Sequence, residues 1–134
     1  MAGYSATPLE RKLGIKPEHV VFLDGAPASF GLEAATTRRL PRHLDISLTF
    51  HTSRTRLARR MPQLIERTAP AGMIWVCWPK KSAVRNGAAP MTTDLDENDV
   101  RRVGLDAGFV DVKVCAIDDV WSGLKFVRRL ADRP

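Results

Sequence analysis

Cationic and polar side chains follow three apolar segments of this 134-residue sequence, and their types suit an anionic ligand. Proteins bind anions through lysine, arginine and histidine side chains and through backbone N–H groups at the start of a helix. His51 could also act as a general base, because the ordinary pKa of histidine lies near neutrality. The plainer alternative is a loop histidine bonded to the backbone. The candidate ligand-binding residues are Asp24, Gly25, His51, Ser53, Trp78, Lys80 and Lys81.

Each of the other candidates also has a purely structural alternative. Lys80 and Lys81 could clamp a phosphate or carboxylate, or simply solvate the end of an apolar strand. Asp24 could orient a ligand hydroxyl or cap its own loop. Trp78 could line a pocket, whereas Trp75 on the opposite face of the same strand is expected in the core. The patterns typical of serine hydrolases, P-loop proteins, zinc proteases and EF-hands do not occur, so we predict no catalytic residue and no metal site.

The elements that must position these residues follow from apolar patterning. Continuous apolar runs predict buried strands, and apolar residues at helical spacing predict amphipathic helices. Thr7, Pro8 and Glu10 form a typical helix start with a capping box. Strands are predicted at 19–24, 45–50, 73–78, 109–117 and 124–130, with a short helical start and an edge strand within 30–39, and helices at 8–13, 53–68 and 94–107.

Four local features extend this prediction. Pro62 should kink or split the helix that Ser53 caps, since proline has no N–H and clashes one turn back. Residues 79–93 are expected to be without regular structure. Asp94 and Glu97 should cap the following helix. The segment 121–123, Trp-Ser-Gly, is expected to form the turn of a closing hairpin, which would leave strand 124–130 as a reversed edge able to pair with a second copy.

The alternation of strands and helices predicts one doubly wound, Rossmann-like α/β domain over residues 1–134. The last two strands follow each other directly, so the sheet should be mostly parallel with an antiparallel C-terminal hairpin. This architecture, with the Gly108-Phe109 start of the hairpin, is similar to that of class I methyltransferases. Ligands of such sheets bind at the carboxyl ends of the strands. We therefore expect Asp24, His51 and Lys80 to converge at one edge.

Composition and charge narrow the class of protein. The net charge of +6 includes a cluster of seven arginines between positions 38 and 60, which would attract anions such as phosphates, nucleic acid or acidic proteins. Aromatic residues are not interleaved with these arginines, which argues against a single-strand stacking platform. The two cysteines lie in apolar runs and indicate reduced, buried thiols and a cytoplasmic location. We expect neither a membrane span nor a secretory signal.

Several segments spread over most of the chain match one bacterial family. They are 4–9 (YSATPL), 12–16 (KLGIK), 75–82 (WVCWPKKS), 93–95 (TDL), 110–116 (VDVKVCA) and 121–125 (WSGLK). On these segments the chain resembles the bacterial family called domain of unknown function 3052. The resemblance implies a small cytoplasmic protein of methyltransferase-like shape, and it brings no established activity or catalytic residue.

The loop after the first strand departs from the methyltransferase pattern. Those enzymes place a glycine-rich loop there, so that the backbone can approach the cofactor. In this sequence only Gly25 stands in place, and Pro27 removes a hydrogen-bond donor. The end of the second strand offers the segment 36–39, Thr-Thr-Arg-Arg, instead of an acidic residue for the ribose hydroxyls. We therefore expect no cofactor. If the chain does bind one, S-adenosylmethionine is the candidate to test.

Three hypotheses for function follow. The first is a non-catalytic or weakly catalytic module that binds an anionic small molecule at the carboxyl edge of the sheet. The second is an interaction module that binds nucleic acid or an acidic protein through the Arg38–Arg60 surface. The third is a divergent S-adenosylmethionine-dependent methyltransferase with an altered loop.

Overall fold

The chain folds around one six-stranded sheet with the strand order β2-β1-β3-β4-β6-β5. This computed structural model describes residues 6–87 and 91–133. The first four strands in this order are mutually parallel, and β6 pairs antiparallel with both β4 and β5. The predicted fold class is confirmed. The strands are β1 Val21–Asp24, β2 Thr36–Thr37, β3 Leu44–Phe50, β4 Thr68–Pro79, β5 Phe109–Ala116 and β6 Trp121–Arg128.

Four α-helices connect or flank the strands. The predicted capping box of α1 is present: Thr7 Oγ1 accepts from the Glu10 N–H, and the Glu10 carboxylate accepts from the Thr7 N–H. The box of α4 consists of Asp96 and Asp99 instead of the predicted Asp94 and Glu97. The helices are α1 Pro8–Leu13, α2 Arg54–Arg67, α3 Lys81–Arg85 and α4 Glu97–Asp106, with a 3₁₀ turn at Leu130–Asp132.

Pro62 lies inside α2, and the prediction of a split helix is wrong, whereas the alternative of a kink stays a prediction. The helix runs without interruption from Arg54 to Arg67. Pro62 and the residue one turn before it, Ala58, are both exposed, so water can occupy the place of the missing N–H donor. Leu57, Met61 and Leu64 are buried on the opposite side and hold the helix against the sheet.

Two predictions about the connections are also wrong. Helix α3 lies within the segment 79–93 that was expected to be irregular, and residues 88–90 of that segment lie outside the described part of the chain. Trp121, Ser122 and Gly123 begin β6 instead of forming a turn. The turn lies earlier because the carboxylate of Asp118 accepts from the N–H groups of Val120 and Trp121, both at 2.8 Å.

These shifts change which strand is the edge. β6 lies between β4 and β5, so β5 is the edge strand and the predicted self-pairing through 124–130 has no free edge to use. Trp121 pairs with Pro79 at the carboxyl end of β4. The start of β6 therefore lies at the same edge of the sheet as the ends of the parallel strands.

Each face of the sheet carries its own core. Helices α2 and α4 cover one face, where Phe22, Leu57 and Phe126 are among the buried residues. The other face is covered by α1 and the loop after β1, around Trp75. The buried indole N–H of Trp75 donates to the Leu13 carbonyl at 3.1 Å, which joins the central strand to the end of α1. None of the helices in the described ranges is long and apolar enough to cross a membrane.

Gly104 marks the closest approach of α4 to the sheet. A Cβ atom at this position would lie 2.0 Å from Cε1 of the fully buried Phe126. We expect Gly104→Ala to destabilise the protein by about 1–3 kcal/mol through overpacking, more than the gain of about 1 kcal/mol from helix propensity. Urea unfolding measures the change. Gly31→Ala is the control, because nothing lies within 4 Å of its added Cβ. Equal stability of Gly104→Ala and the parent would contradict this packing.

Candidate functional site

A cavity of about 630 Å³ opens at the carboxyl ends of β1 and β3. This volume lies within the range of roughly 300–1,000 Å³ that is usual for small-molecule sites. Two of the predicted residues line it from β1, Asp24 and Gly25, and His51 lines it from the end of β3. Helix α2 forms much of one wall. The other lining residues are Phe50, Thr52, Arg56, Arg59, Arg60, Gln63, Met91 and Trp121.

A two-pronged ion pair joins β1 to α2 at this cavity. The Arg60 guanidinium donates from Nη2 to Asp24 Oδ1 at 2.8 Å and from Nε to Asp24 Oδ2 at 2.9 Å. Hydrogen bonding to Asp24 raises the pKa of Arg60, so the guanidinium stays charged. Arg60 also donates to Gln63 and lies over the Phe22 ring, 5.7 Å from its centroid. The charges of Asp24 and Arg60 therefore neutralise each other.

A hydroxyl connects the same carboxylate to His51. Thr49, fully buried on β3, donates from Oγ1 to Asp24 Oδ2 at 2.7 Å and lies 2.5 Å from His51 Nε2. The hydroxyl has one proton, and the carboxylate of Asp24, paired with Arg60, can only accept. Thr49 therefore accepts from His51, and the Nε2 atom carries the imidazole proton. Nδ1 of neutral His51 keeps its lone pair and has no hydrogen-bond partner among the described residues.

The surroundings lower the pKa of His51 below its ordinary value of 6.5. Burial is the largest cause, because it disfavours the charged imidazolium. The Asp24 carboxylate opposes this effect, and the charges of Arg60 and Arg56 add to it. The histidine is therefore neutral near pH 7 and able to accept a proton.

Two further arginines give the cavity its positive charge. Arg56 and Arg59 line it, are exposed, and form no ion pair within the described ranges. Both belong to the arginine cluster between positions 38 and 60, and neither was predicted among the ligand-binding residues. The spacing of 56, 59, 60 and 63 puts them on one side of α2. Because α2 begins directly after β3, this side of the helix faces the carboxyl edge of the sheet. The spacing of these residues was therefore the sequence signal that could have identified Arg56 and Arg59 as site residues.

Ser53 has the predicted structural role as the N-cap of α2. Its side chain accepts from the Arg56 N–H at 3.3 Å, and the Asp94 carboxylate accepts from the Arg54 N–H at 2.7 Å. Two of the first three N–H groups of α2 are thus already engaged. An acidic side chain beside them disfavours an anion at this helix start, and the ligand-binding role of Ser53 stays a prediction.

The structure separates Trp78, Lys80 and Lys81 from Asp24 and His51. These three line a different cavity of about 520 Å³ together with Asp96. The Lys80 ammonium donates to the Asp118 carbonyl at 2.6 Å, and Lys81 lies 3.9 Å from the Asp96 carboxylate. The prediction that lysines converge with His51 is wrong, because the chain turns into α3 immediately after β4 and carries them away.

Arg38 holds the loop after β1. Its guanidinium donates to the carbonyls of Ala26, Pro27 and Phe30, the last at 2.5 Å. The helical start predicted within 30–39 is not formed, and only the two residues of β2 are regular. Gly25 begins the loop at φ 67°, where a Cβ atom would lie 3.3 Å from the Phe50 carbonyl oxygen. Arg38 therefore fixes the loop that borders the cavity.

A more apolar cavity of about 580 Å³ adjoins the cavity at the carboxyl ends of β1 and β3. Met91 and Trp121 line both of these cavities, and Phe30 lines only the more apolar one. The rings of Phe30 and Phe50 lie 5.2 Å apart, and those of Phe50 and Trp121 lie 5.1 Å apart, edge to face. These three rings form a continuous aromatic wall from one cavity to the other.

Comparison of the fold with solved structures identifies similar proteins. Magnesium protoporphyrin IX methyltransferase (ChlM) from Synechocystis PCC 6803 with bound SAM is 11% identical, with a TM-score of 0.60 over 90% of this chain and 74% of that one. LepI in complex with SAM is 11% identical, with a TM-score of 0.58 over 92% of this chain and 47% of that one. No protein-family model and no curated protein matches the sequence, so the resemblance to the domain of unknown function 3052 family stays a prediction.

These comparisons confirm the methyltransferase-like fold and correct one prediction. The expectation of no cofactor is wrong for this fold, because these two solved structures hold SAM (S-adenosylmethionine). A structure described as a pericyclic reaction enzyme also matches, at 10% identity and a TM-score of 0.56 over 92% of this chain and 47% of that one. Fold alone therefore does not specify the reaction.

The lowered pKa of His51 predicts a loss of stability in mild acid. Below the ordinary pKa of 6.5 the unfolded chain binds a proton that folded His51 resists, so stability falls as the pH falls through this value. We expect His51→Gln to reduce the slope of unfolding free energy against pH in this window. Urea unfolding across the window measures it. His43→Gln, on an exposed loop, is the control. An unchanged slope in His51→Gln would contradict a neutral, buried imidazole.

Proposed function

We propose that the cavity at the carboxyl ends of β1 and β3 binds S-adenosylmethionine and that the protein is a divergent methyltransferase. The observation that carries the proposal is the cavity itself: it lies where doubly wound sheets bind ligands, and it combines unpaired arginines with aromatic side chains. SAM needs both, because it contains a carboxylate and an adenine ring.

Two cationic donors of the cavity fit the carboxylate of SAM. Arg56 and Arg59 form no ion pair within the described ranges and line the cavity from α2. Guanidinium groups bind carboxylates in a two-pronged geometry, and a charge-assisted hydrogen bond contributes about 1.5–3 kcal/mol. We assign these two arginines to the carboxylate of the ligand. Arg60 is already neutralised by Asp24 and serves to position the wall.

The apolar part of the cavity fits the adenosine moiety. Phe50, Trp121 and Met91 supply aromatic and polarisable surface on which a planar base can stack. Gly25 lets the backbone turn sharply at the end of β1, where a side chain would crowd the Phe50 carbonyl. The edge of β2 carries no carboxylate for the ribose hydroxyls, and Arg38 there is bound to loop carbonyls. Recognition of the ribose must therefore rest on other groups.

SAM, when bound, supplies a methyl group that a nucleophilic substrate atom can accept. The residues of this chain would then orient the two molecules and exclude water from between them. The apolar cavity that adjoins the first one offers space for the second molecule, with Met91 and Trp121 between them.

Calorimetric titration with SAM tests the proposal. We expect saturable heat, and we expect the double variant Arg56→Ala/Arg59→Ala to bind at least tenfold more weakly, since one charge-assisted contact is worth about that much. Lys80→Ala/Lys81→Ala is the matched control. It removes the same charge from the separate cavity that Trp78 and Asp96 line, so this variant should bind SAM like the parent.

Three results would count against the proposal. Absence of heat at saturating SAM with folded protein removes SAM as the ligand. Equal loss of binding in both double variants would indicate a nonspecific effect of charge. Binding that inorganic phosphate displaces in full would indicate a plain anion site instead of a nucleoside site.

A further inference from the structure

We propose that His51 is the general base of this site, that its Nδ1 atom accepts a proton from a phenolic acceptor substrate, and that Thr49 and Asp24 are positioning residues. This inference deepens the proposed function, and it rests on it for the methyl donor. It concerns the chain's own hydrogen-bond network, so it can also be tested without that donor.

The network determines which nitrogen of His51 is basic. The Thr49 hydroxyl gives its single proton to Asp24, so it can only accept from His51 Nε2. The His51 ring is therefore held as the Nε2–H tautomer, and its backbone N–H is fixed by the Cys77 carbonyl at 3.0 Å. Nδ1 keeps a lone pair that no described group engages. A base with one free nitrogen and a fixed ring is suited to take a proton from a substrate.

The charges around His51 suit a proton transfer that starts from a neutral imidazole. Asp24 from β1 favours the imidazolium, and Arg56 and Arg60 from α2 disfavour it. Burial keeps the resting ring neutral, so it is ready to accept a proton near pH 7. When His51 becomes charged, Asp24 stabilises it through the Thr49 hydroxyl, because the hydrogen bond from Nε2 then strengthens.

The acceptor class follows from the wall beside the base. Phe30 lines the adjoining cavity together with Trp121, which the two cavities share, and an aromatic ring packs well against these side chains. The ordinary pKa of a phenol is about 10, which is closer to the pKa of a histidine base than that of any aliphatic alcohol. An aliphatic alcohol is far less acidic and would not lose its proton here. The favoured acceptor is thus an aromatic hydroxyl compound.

The proton step is balanced within the site. The phenol O–H bond breaks, its proton forms a bond to Nδ1 of His51, and the O–H electron pair stays on the oxygen. The products are an imidazolium and a phenolate. Asp24 favours the imidazolium, and the phenolate is the nucleophilic form that can accept a methyl group. A final proton transfer from His51 to water restores the neutral ring.

Nitrogen NMR of the imidazole rings tests the tautomer without any ligand. We expect neutral His51 to be a single Nε2–H tautomer. Thr49→Val removes the hydroxyl while keeping the shape, so a measurable Nδ1–H population should appear. Thr49→Ser keeps the hydroxyl and should restore the parental tautomer. Asp24→Asn should lower the pKa of His51 further, because the carboxylate that raises it is gone. His19→Gln and His43→Gln assign the other two rings.

Binding of 4-nitrophenol tests the proton transfer and the acceptor class together. This probe absorbs visible light only as its phenolate, so its colour reports its ionisation. At a pH where the free probe is mostly protonated, we expect the parent protein to bind it as the phenolate. His51→Gln should lower the bound phenolate fraction at least tenfold, and Thr49→Val should give an intermediate loss. Phe30→Ala should weaken binding without changing the ionisation of the bound probe.

The outcomes separate this inference from the proposed function. A resting Nδ1–H tautomer, or a bound nitrophenol that ionises equally well in His51→Gln, overturns the role of His51 whatever SAM does. Absence of SAM binding alongside the expected tautomer and phenolate would remove only the methyl donor. If His51→Gln fails to fold, the comparison of Thr49→Val with Thr49→Ser still decides the matter, because only the hydroxyl differs in function.

Discussion

The ion pair of Asp24 and Arg60 is the contact on which the site depends. It joins the end of β1 to the second turn of α2 across 36 positions of sequence, and both partners are partly buried. Removing either partner would leave a partly buried charge without its counter-charge, which is unfavourable. The pair therefore holds α2 against the sheet edge in one orientation. That orientation puts Arg56 and Arg59 on the cavity and leaves their charge uncompensated.

The same carboxylate also governs the state of His51. Asp24 uses its two oxygens on Arg60 and on the Thr49 hydroxyl, and this hydroxyl then selects the Nε2–H form of the histidine. One acidic residue thus keeps one arginine neutralised and one histidine oriented. The cavity is left with positive charge for an anionic group and with a free basic nitrogen for a proton. The proposed binding of SAM and the proposed proton transfer to His51 rest on these two features.

The carboxyl edge of the methyltransferase-like sheet is formed here by an atypical loop after β1 and by the start of the antiparallel strand β6. The loop after β1 has a single glycine at its start, and Arg38 reaches back from beyond β2 to bind three of its carbonyls. Side-chain donors here hold a loop that a glycine-rich sequence would form by backbone freedom. The antiparallel strand β6 adds Trp121, because its first residue pairs with the last residue of β4. The aromatic wall of the cavities thus depends on the reversed strand.

Patterning along the sequence determined the α/β alternation, the C-terminal hairpin, the start of α1 and most of the strands, because apolar periodicity and helix caps are local signals. It also placed Asp24, Gly25 and His51 correctly at the carboxyl edge. Only the tertiary structure decided that Arg56, Arg59 and Arg60 face this cavity while Lys80 and Lys81 face another. The positions of these cationic side chains depend on the direction of the helix that follows each strand and on which of the side chains have a hydrogen-bonding partner. Both are set by contacts between residues distant in sequence, such as Asp24 with Arg60 and Asp118 with Lys80, which no local pattern encodes.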